Sequence, residues 1–379
     1  MKIISIGPAF PYRGGIASFT DRLAQQFANE GHSIEVFTFS LQYPGFLFPG
    51  KTQFTDAPAP NGIKISRVIN TVNPFNWIAT GLKIKKAKPD LLLIRYWIPF
   101  MGPCLGTIAR IAKSNKHTVV ICIFDNVVPH EGRIGDKILT KYFTGNIDGA
   151  IVMAHTVLND LKQFRKNIPV KMNPHPLFDN YGKIIGREEA LSKLKLDAGF
   201  SYLLFFGFIR AYKGLDLLIK AFSDNRLRNR KIKLIVAGEF YEDDTPYREL
   251  VRSYNLENDI IFYDHFIKDS EVSMFFGAAD LVIQPYKSAS QSGVTQVAYY
   301  FEKPMLVTDV GGLKEIVPDG ICGYVVKPEP EEIAESMIDF FDNNRKAMFT
   351  EGVRAEKEKF SWDKMTASIK SVYKEISEG

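Results

Sequence analysis

Cysteine is scarce in this 379-residue chain, with only Cys104, Cys122 and Cys322 present. They are scattered and odd in number, so they build neither a disulfide framework nor a zinc-ligand spacing. A reducing, cytoplasmic setting is the expectation, with Cys122 a buried free thiol inside the apolar run TVVICIF. Long hydrophobic runs are also lacking. MKIISIG is too short an apolar stretch for a signal peptide. Leu91 to Ala109, the most apolar later segment, is interrupted by Arg95, Pro99 and Pro103, which excludes a membrane span. Repeats and low-complexity tracts are absent. No metal is expected: His130-Glu131 does not open an H-E-x-x-H motif, because Ile134 stands where the second histidine belongs. The glycine fingerprint G-x-G-x-x-G is missing after the first strand, so a standard dinucleotide cofactor is excluded there.

What is present fits two α/β domains. Hydrophobic residues make up 45% and charged residues 24%, the balance of a soluble globular protein, and the length suffices for two cores. Short apolar runs at residues 2–6, 33–39, 91–94, 118–124 and 147–154 alternate with helical patterns, and the last is expected to close the first sheet. Strand, glycine loop, helix and strand in that order predict parallel sheets with right-handed crossovers. Prolines 169, 174 and 176 punctuate a crossing segment. A helix over 184–196 and a strand over 202–206 open a second domain. The organisation expected is therefore residues 1–180, residues 181–360 and a C-terminal amphipathic helix in 361–379.

Net charge is +5, but it is unevenly spread. Residues 1–180 carry 21 Lys and Arg against 11 Asp and Glu, roughly +10, and the remainder is roughly −5. A basic first half suggests an anionic partner, either a membrane surface or a phosphorylated acceptor. Lys83, Lys85, Lys86 and Lys88 cluster before a strand. They read either as a solvated helix end or as part of an anionic-membrane patch.

The chain is organised around residues 286–317, YKSASQSGVTQVAYYFEKPMLVTDVGGLKEIV. Ser288, Ser290 and Ser292 offer hydroxyls at helix N-cap positions, and Gly293 permits close approach to the backbone. Free N–H groups and the helix dipole there favour an anion such as a diphosphate. Gly311-Gly312 makes a second strand-to-helix turn. Upstream, GFIRAYKG places Arg210 and Lys213 on another such loop, where arginine and lysine suit phosphate oxygens. The acidic loop Glu242-Asp243-Asp244 imitates a metal motif but reads better as a solvated loop.

The pattern S-x-S-G-V, then K-P-M-L-V-T-D-V-G-G-L-x-E-I-V, then D-G-x-x-G-Y-V-V resembles the nucleotide-sugar half of GT-B glycosyltransferases, most closely the retaining enzymes of family 4. With the upstream GFIRAYKGLDLLIKAF it covers most of residues 200–330. The resemblance implies two doubly wound, Rossmann-like domains facing a cleft, the C-terminal one holding the nucleotide sugar and the last helix returning to the N-terminal one. It implies transfer of a hexosyl group from a nucleoside-diphosphate sugar to a hydroxyl acceptor, with the sugar nucleotide as co-substrate and no cofactor. Arg210 and Lys213 would hold the diphosphate and His130 would lie near the donor sugar. Gly14, Gly15, Gly207, Glu239, Ser290, Gln291, Ser292, Gly293, Val294, Gln296 and Glu315 would complete the donor site. Aromatic residues 41–60 fall where relatives line the acceptor.

One departure stands out. The family usually carries two glutamates separated by seven residues on the central loop and helix, and residues 287–301 contain neither. Glu249 and Glu257 have the spacing but precede the wrong strand. Gln291, Ser292, Thr295 and Gln296 occupy the centre instead. Two alternatives therefore stand beside the transferase: an epimerase of the same architecture and a non-catalytic nucleotide-sugar-binding subunit. Nucleic acid is not an expected partner. Localisation is expected in the cytoplasm, peripheral to the inner face of the membrane if the basic half contacts lipid.

Overall fold

Strands buried at every position, such as LLLIRY at Leu91–Tyr96 and LVIQ at Leu281–Gln284, must be covered on both faces. Parallel sheets with helices on both sides meet that demand, and two such sheets form. The structure is a computed structural model describing residues 1–44, 53–55, 58–128, 135–289 and 292–378. The chain divides into two units, Met1–Pro176 with Ser361–Gly379, and Leu177–Phe360.

The first unit contains β1 (Lys2–Ile6), α1 (Gly15–Asn29), β2 (Ser33–Leu41), β3 (Lys64–Asn70), α2 (Pro74–Ala87), β4 (Leu91–Tyr96), α3 (Gly102–Lys113), β5 (Val119–Phe124), α4 (Asp136–Thr144), β6 (Gly149–Val152), α5 (His155–Phe164) and β7 (Val170–Met172). Its strands run in the order 3-2-1-4-5-6-7, every pair parallel. Strand order reverses between β1 and β4, which makes their carboxyl ends a topological switch point. Alternate residues such as Ile6, Ile94 and Phe124 pack with Ile84 of α2 and Leu105 and Ile108 of α3.

The second unit contains α6 (Arg187–Leu194), β8 (Ser201–Phe206), α7 (Leu215–Phe222), α8 (Asn225–Arg228), β9 (Ile232–Ala237), α9 (Thr245–Ser253), β10 (Ile260–Tyr263), α10 (Val272–Ala278), β11 (Leu281–Gln284), α11 (Gly293–Tyr300), β12 (Met305–Thr308), α12 (Leu313–Ile316), β13 (Gly323–Val326), α13 (Pro330–Asp342) and α14 (Lys346–Lys357). The strand order is 10-9-8-11-12-13, again all parallel, with the switch point between β8 and β11. Leu203, Phe205, Leu281 and Ile283 face α7, α9 and α13. The alternate residues face the opposite layer, where Phe206 meets Phe276 of α10 at 5.0 Å between ring centroids.

The α/β expectation holds, with one correction at the edge of the first sheet. Residues 147–154 do not supply its last strand. β6 covers only Gly149–Val152, and β7 follows it as a three-residue edge strand. Its position between Pro169 and Pro174 hides it, and an edge is where such neighbours are tolerated. All three cysteines are buried free thiols, as expected for Cys122.

The last helix, α15 (Trp362–Glu378), belongs to the first unit, where it packs on α1, β5, β6 and β7. Trp362 meets Phe19 of α1 at 5.0 Å, and Gly149 of β6 leaves room for Val372. A Cβ at Gly149 would stand 2.6 Å from Val372 Cγ1. Gly149→Val should therefore overpack this seat and cost about 1–3 kcal/mol in chemical denaturation. Val372→Ala in the same chain should recover part of the loss, and an unchanged midpoint for Gly149→Val alone would mean that the helix is not held there.

Candidate active site

Three strand ends of the second unit are drawn together at its switch point. Gly207 directly follows β8, with a φ of +99° that suits glycine. A Cβ at Gly238 would lie 2.1 Å from the Gly207 carbonyl oxygen, so the end of β9 touches the end of β8. Ile209 N–H continues the contact by donating to the Glu239 carbonyl at 2.9 Å. On the other side, a Cβ at Gly214 would fall 1.9 Å from the Pro285 carbonyl oxygen, and Lys287 N–H donates to the Tyr212 carbonyl at 2.7 Å. The β8 loop is thus clamped between the loops after β9 and β11.

Lys213 sits in this clamp. It is only 9% exposed, and its ammonium has no hydrogen-bond or ion-pair partner among the described residues. Its Nζ is 3.2 Å from where a Gly207 Cβ would stand and 5.7 Å from the Tyr286 ring centroid. Burial, and secondly the charge of Arg210, push its pKa down to about 7. Arg210 itself is exposed, with its guanidinium 5.2 Å from the Tyr241 ring centroid. A desolvated ammonium without a carboxylate partner, next to a second cation, is a place where an anion gains energy.

The start of α11 adds backbone donors. Ser292 is its N-cap, accepting from Val294 N–H at 3.2 Å, and its hydroxyl pairs with the Tyr286 hydroxyl at 3.2 Å. Val294 reaches back to Gly207, with Cγ2 3.6 Å from the place of a Gly207 Cβ. Gly207, Lys213, Ser292 and Val294 are therefore brought together, with Tyr286 joining Lys213 to Ser292. The missing Cβ of Gly293 is occupied by the Phe178 ring at 3.0 Å, so packing within the unit accounts for that glycine.

Two glutamines stand out by what they lack. Gln296 on α11 is fully buried and Gln284 at the end of β11 is 1% exposed. Neither amide oxygen nor nitrogen of either has a partner among the described residues. Gln284 alternates with Ile283 and so lies on the sheet face opposite the α7 and α13 core. Each unpaired buried amide costs on the order of 1–3 kcal/mol, which a hydroxyl-bearing ligand or water would relieve. Sequence reasoning named Gln296 but missed Gln284 and Tyr286.

Of the remaining expected residues, Glu239 is buried beyond the end of β9 and Glu315 is exposed on the short helix α12. Gly14 and Gly15 belong to the first unit, where Gly14 caps α1 at a φ of +98°. His130, Ser290 and Gln291 lie outside the described residues, as does most of the 41–60 segment. The first unit holds an ion pair that the sequence did not announce. Arg95, at the end of β4, grips Asp125 bidentately at 2.7 and 2.5 Å with its guanidinium 3.6 Å from the Phe19 ring centroid. Nearby His175 is held neutral, its pKa pushed down to about 3 by burial and then by Arg95.

The acidic loop is engaged locally. Glu242 accepts from the Tyr247 hydroxyl at 2.6 Å, Asp243 accepts from Thr245 N–H at 3.0 Å, and Asp244 pairs with Arg248 at 3.1 Å. Among the described residues no group of three or more His, Cys, Asp and Glu side chains is placed to hold a metal ion.

Comparison with known proteins agrees with this geometry. Residues 186–355 match the family described as glycosyl transferases group 1. An uncharacterised glycosyltransferase of Methanocaldococcus jannaschii is 24% identical over 100% of this chain and 99% of its own length. The O-antigen chain mannosyltransferase C of Escherichia coli is 23% identical over 96% of this chain and 95% of its own. Among solved structures, HepE of Anabaena in complex with UDP and glucose superposes with a TM-score of 0.70 at 15% identity, covering 100% of this chain and 98% of that one. Neighbours of this kind have the GT-B fold.

The depressed pKa of Lys213 sets the direction of a pH effect. An anion binds best to the protonated amine, so affinity for a nucleoside diphosphate should fall as pH rises from about 7 to about 9, by up to tenfold per unit. Lys213→Met should weaken binding and flatten that slope in calorimetric titrations. A slope that survives the substitution would assign the titration to another group.

Proposed function

We propose that this chain, with its GT-B fold and its match to glycosyl transferases group 1 over residues 186–355, moves a hexosyl group from a nucleoside-diphosphate sugar to a hydroxyl acceptor with retention of anomeric configuration. The observation that carries this reading is Lys213, a buried ammonium without an acidic partner beside the capped start of α11. The diphosphate of the donor supplies the missing negative charge. Arg210 reaches it from the exposed side, and amides at Ser292 to Val294 add donors. HepE, solved in complex with UDP and glucose, supports a nucleotide sugar as the class of donor.

Retention in a double displacement requires a carboxylate beneath the anomeric carbon. The start of α11 offers hydroxyls and amides where the family usually has glutamates, so a same-face departure suits this site better. The bond from the anomeric carbon to the β-phosphate oxygen breaks, the bond to the acceptor oxygen forms, and the acceptor proton passes to the departing phosphate. Lys213, Arg210 and the helix start stabilise the developing diphosphate charge without a divalent cation or other cofactor. A donor contact from Glu315 is part of the same reading. So is a cytoplasmic setting in cell-surface glycan or glycolipid synthesis. The basic first unit then serves at the edge of an anionic membrane.

Release of nucleoside diphosphate from a panel of sugar nucleotides tests the reading. Release that depends on an added acceptor supports transfer, whereas conversion of the donor alone would mark an epimerase and binding without turnover a sensor subunit. Loss of transfer in chelator, restored by manganese or magnesium, would overturn the cation-free mechanism.

The two buried glutamines supply a sharper test. If their amides receive hydroxyls of the donor sugar, Gln296→Ala and Gln284→Ala should each reduce kcat/KM by about tenfold, for a neutral hydrogen bond of roughly 1–1.5 kcal/mol. Affinity for the bare nucleoside diphosphate should stay within about twofold of the unmodified protein. Equal losses in both measurements would make the glutamines structural.

A further inference from the structure

We propose that the outward face of α2 is the membrane-docking surface of the first unit, taking anionic phospholipid. This rests on the peripheral-membrane part of the reading above and assigns it a place.

The inner face of α2 is fixed. Ile84 is buried in the core, Trp77 Nε1–H donates to the Asn70 carbonyl at 2.8 Å, and Gly81 lets Ile111 of α3 approach closely. Asn73 caps the start by accepting from Phe75 and Asn76 N–H at 3.0 and 3.3 Å. With that face turned inward, Phe75, Ile78 and Leu82 point the other way and are 83%, 44% and 52% exposed. Their i, i+3, i+7 spacing makes one apolar stripe about 10 Å long.

Basic residues follow at the carboxyl end. Lys85 and Lys86 occupy the last turn and Lys88 the C-cap, and none of the three is ion-paired among the described residues. Lys83 is turned back instead, with Nζ 4.8 Å from the Phe37 ring centroid. Residues 58–124 contain ten Lys and Arg and a single acid, Asp90, which already accepts from Lys2 N–H at 2.7 Å and pairs with His117 at 3.0 Å.

That charge selects the occupant. A second copy of this face would set lysines against lysines, and a polyanion alone would leave the apolar stripe in water. An anionic bilayer accepts both parts, the stripe entering the acyl boundary and the lysines meeting headgroup phosphates.

Flotation of the full chain with phosphatidylcholine vesicles, with and without phosphatidylglycerol, tests this. Binding should require the anionic lipid and fall with salt. Substituting Lys85, Lys86 and Lys88 by serine should weaken it about fivefold per lysine, and Phe75→Ser with Leu82→Ser by about tenfold or more. Both variants should keep the melting temperature and the nucleoside-diphosphate affinity of the unmodified protein. Full binding by these variants, with the unmodified chain still lipid-dependent, would overturn this face and leave the membrane reading standing. Indifference of the unmodified chain to anionic lipid would overturn both, without touching glycosyl transfer, which diphosphate release measures separately. Self-association abolished by Phe75→Ser and Leu82→Ser in sedimentation velocity would assign the stripe to a second copy and overturn the proposal.

Discussion

A buried ammonium without a counter-charge is the constraint on which the second unit turns. Lys213 reaches its position because Gly214 packs against the Pro285 carbonyl and Gly238 against the Gly207 carbonyl. Side chains at either glycine would drive the strand-end loops apart and let water reach the lysine. Tight backbone contact therefore has an electrostatic consequence. It removes solvent from the amine, and burial then shifts the balance toward the neutral form more than Arg210 does. Tyr286 extends the effect, with its ring near the ammonium and its hydroxyl on the residue that caps α11. Cation, helix start and strand ends behave as one object, and replacing a residue in any of them disturbs the others.

Much of this was legible in the sequence, for identifiable reasons. Lys213-Gly214 follows an apolar run and precedes a helical pattern, and S-x-S-G-V carries its own cap, so local signals sufficed. Gln284 was not legible, because LVIQP reads as a strand with a polar last residue before a proline stop. Only strand parity within the assembled sheet shows that its side chain is buried against the α10 layer. Arg95 likewise read as an interruption of an apolar stretch. Its burial follows from β4 lying at the centre of the first sheet with helices on both faces, and that depends on strand order. β7 was hidden by its three-residue length between prolines.

The helix α2 shows a different limit. Its lysines were visible as a cluster, but a helix with apolar residues on more than one side does not by itself say which of them will face inward. The structure turns a narrower side inward instead, made of Trp77, Thr80, Gly81 and Ile84. Gly81 explains the choice, since only a residue without a side chain allows Ile111 of α3 to come so near. Close packing of α2 on α3 fixes the rotation of the helix, and the rotation then decides which residues meet solvent.

The central helix start also bears on how such a site divides its work. Carboxylates at the family positions would bind donor hydroxyls strongly, but they would also place negative charge close to an incoming diphosphate. Glutamines avoid that repulsion and form weaker hydrogen bonds. Gln284 and Gln296 have no protein partner among the described residues and Lys213 is desolvated, so amides and an unmatched ammonium both stand ready for a ligand. A ligand carrying both a diphosphate and hydroxyls satisfies each, and its binding stabilises the folded unit by mass action. In the proposed complex the charged part of the ligand would contribute the larger share of the affinity, because a hydrogen bond to a charged group is the stronger kind. In the proposed donor complex the sugar would be held by neutral contacts, which could be released once the diphosphate had gone.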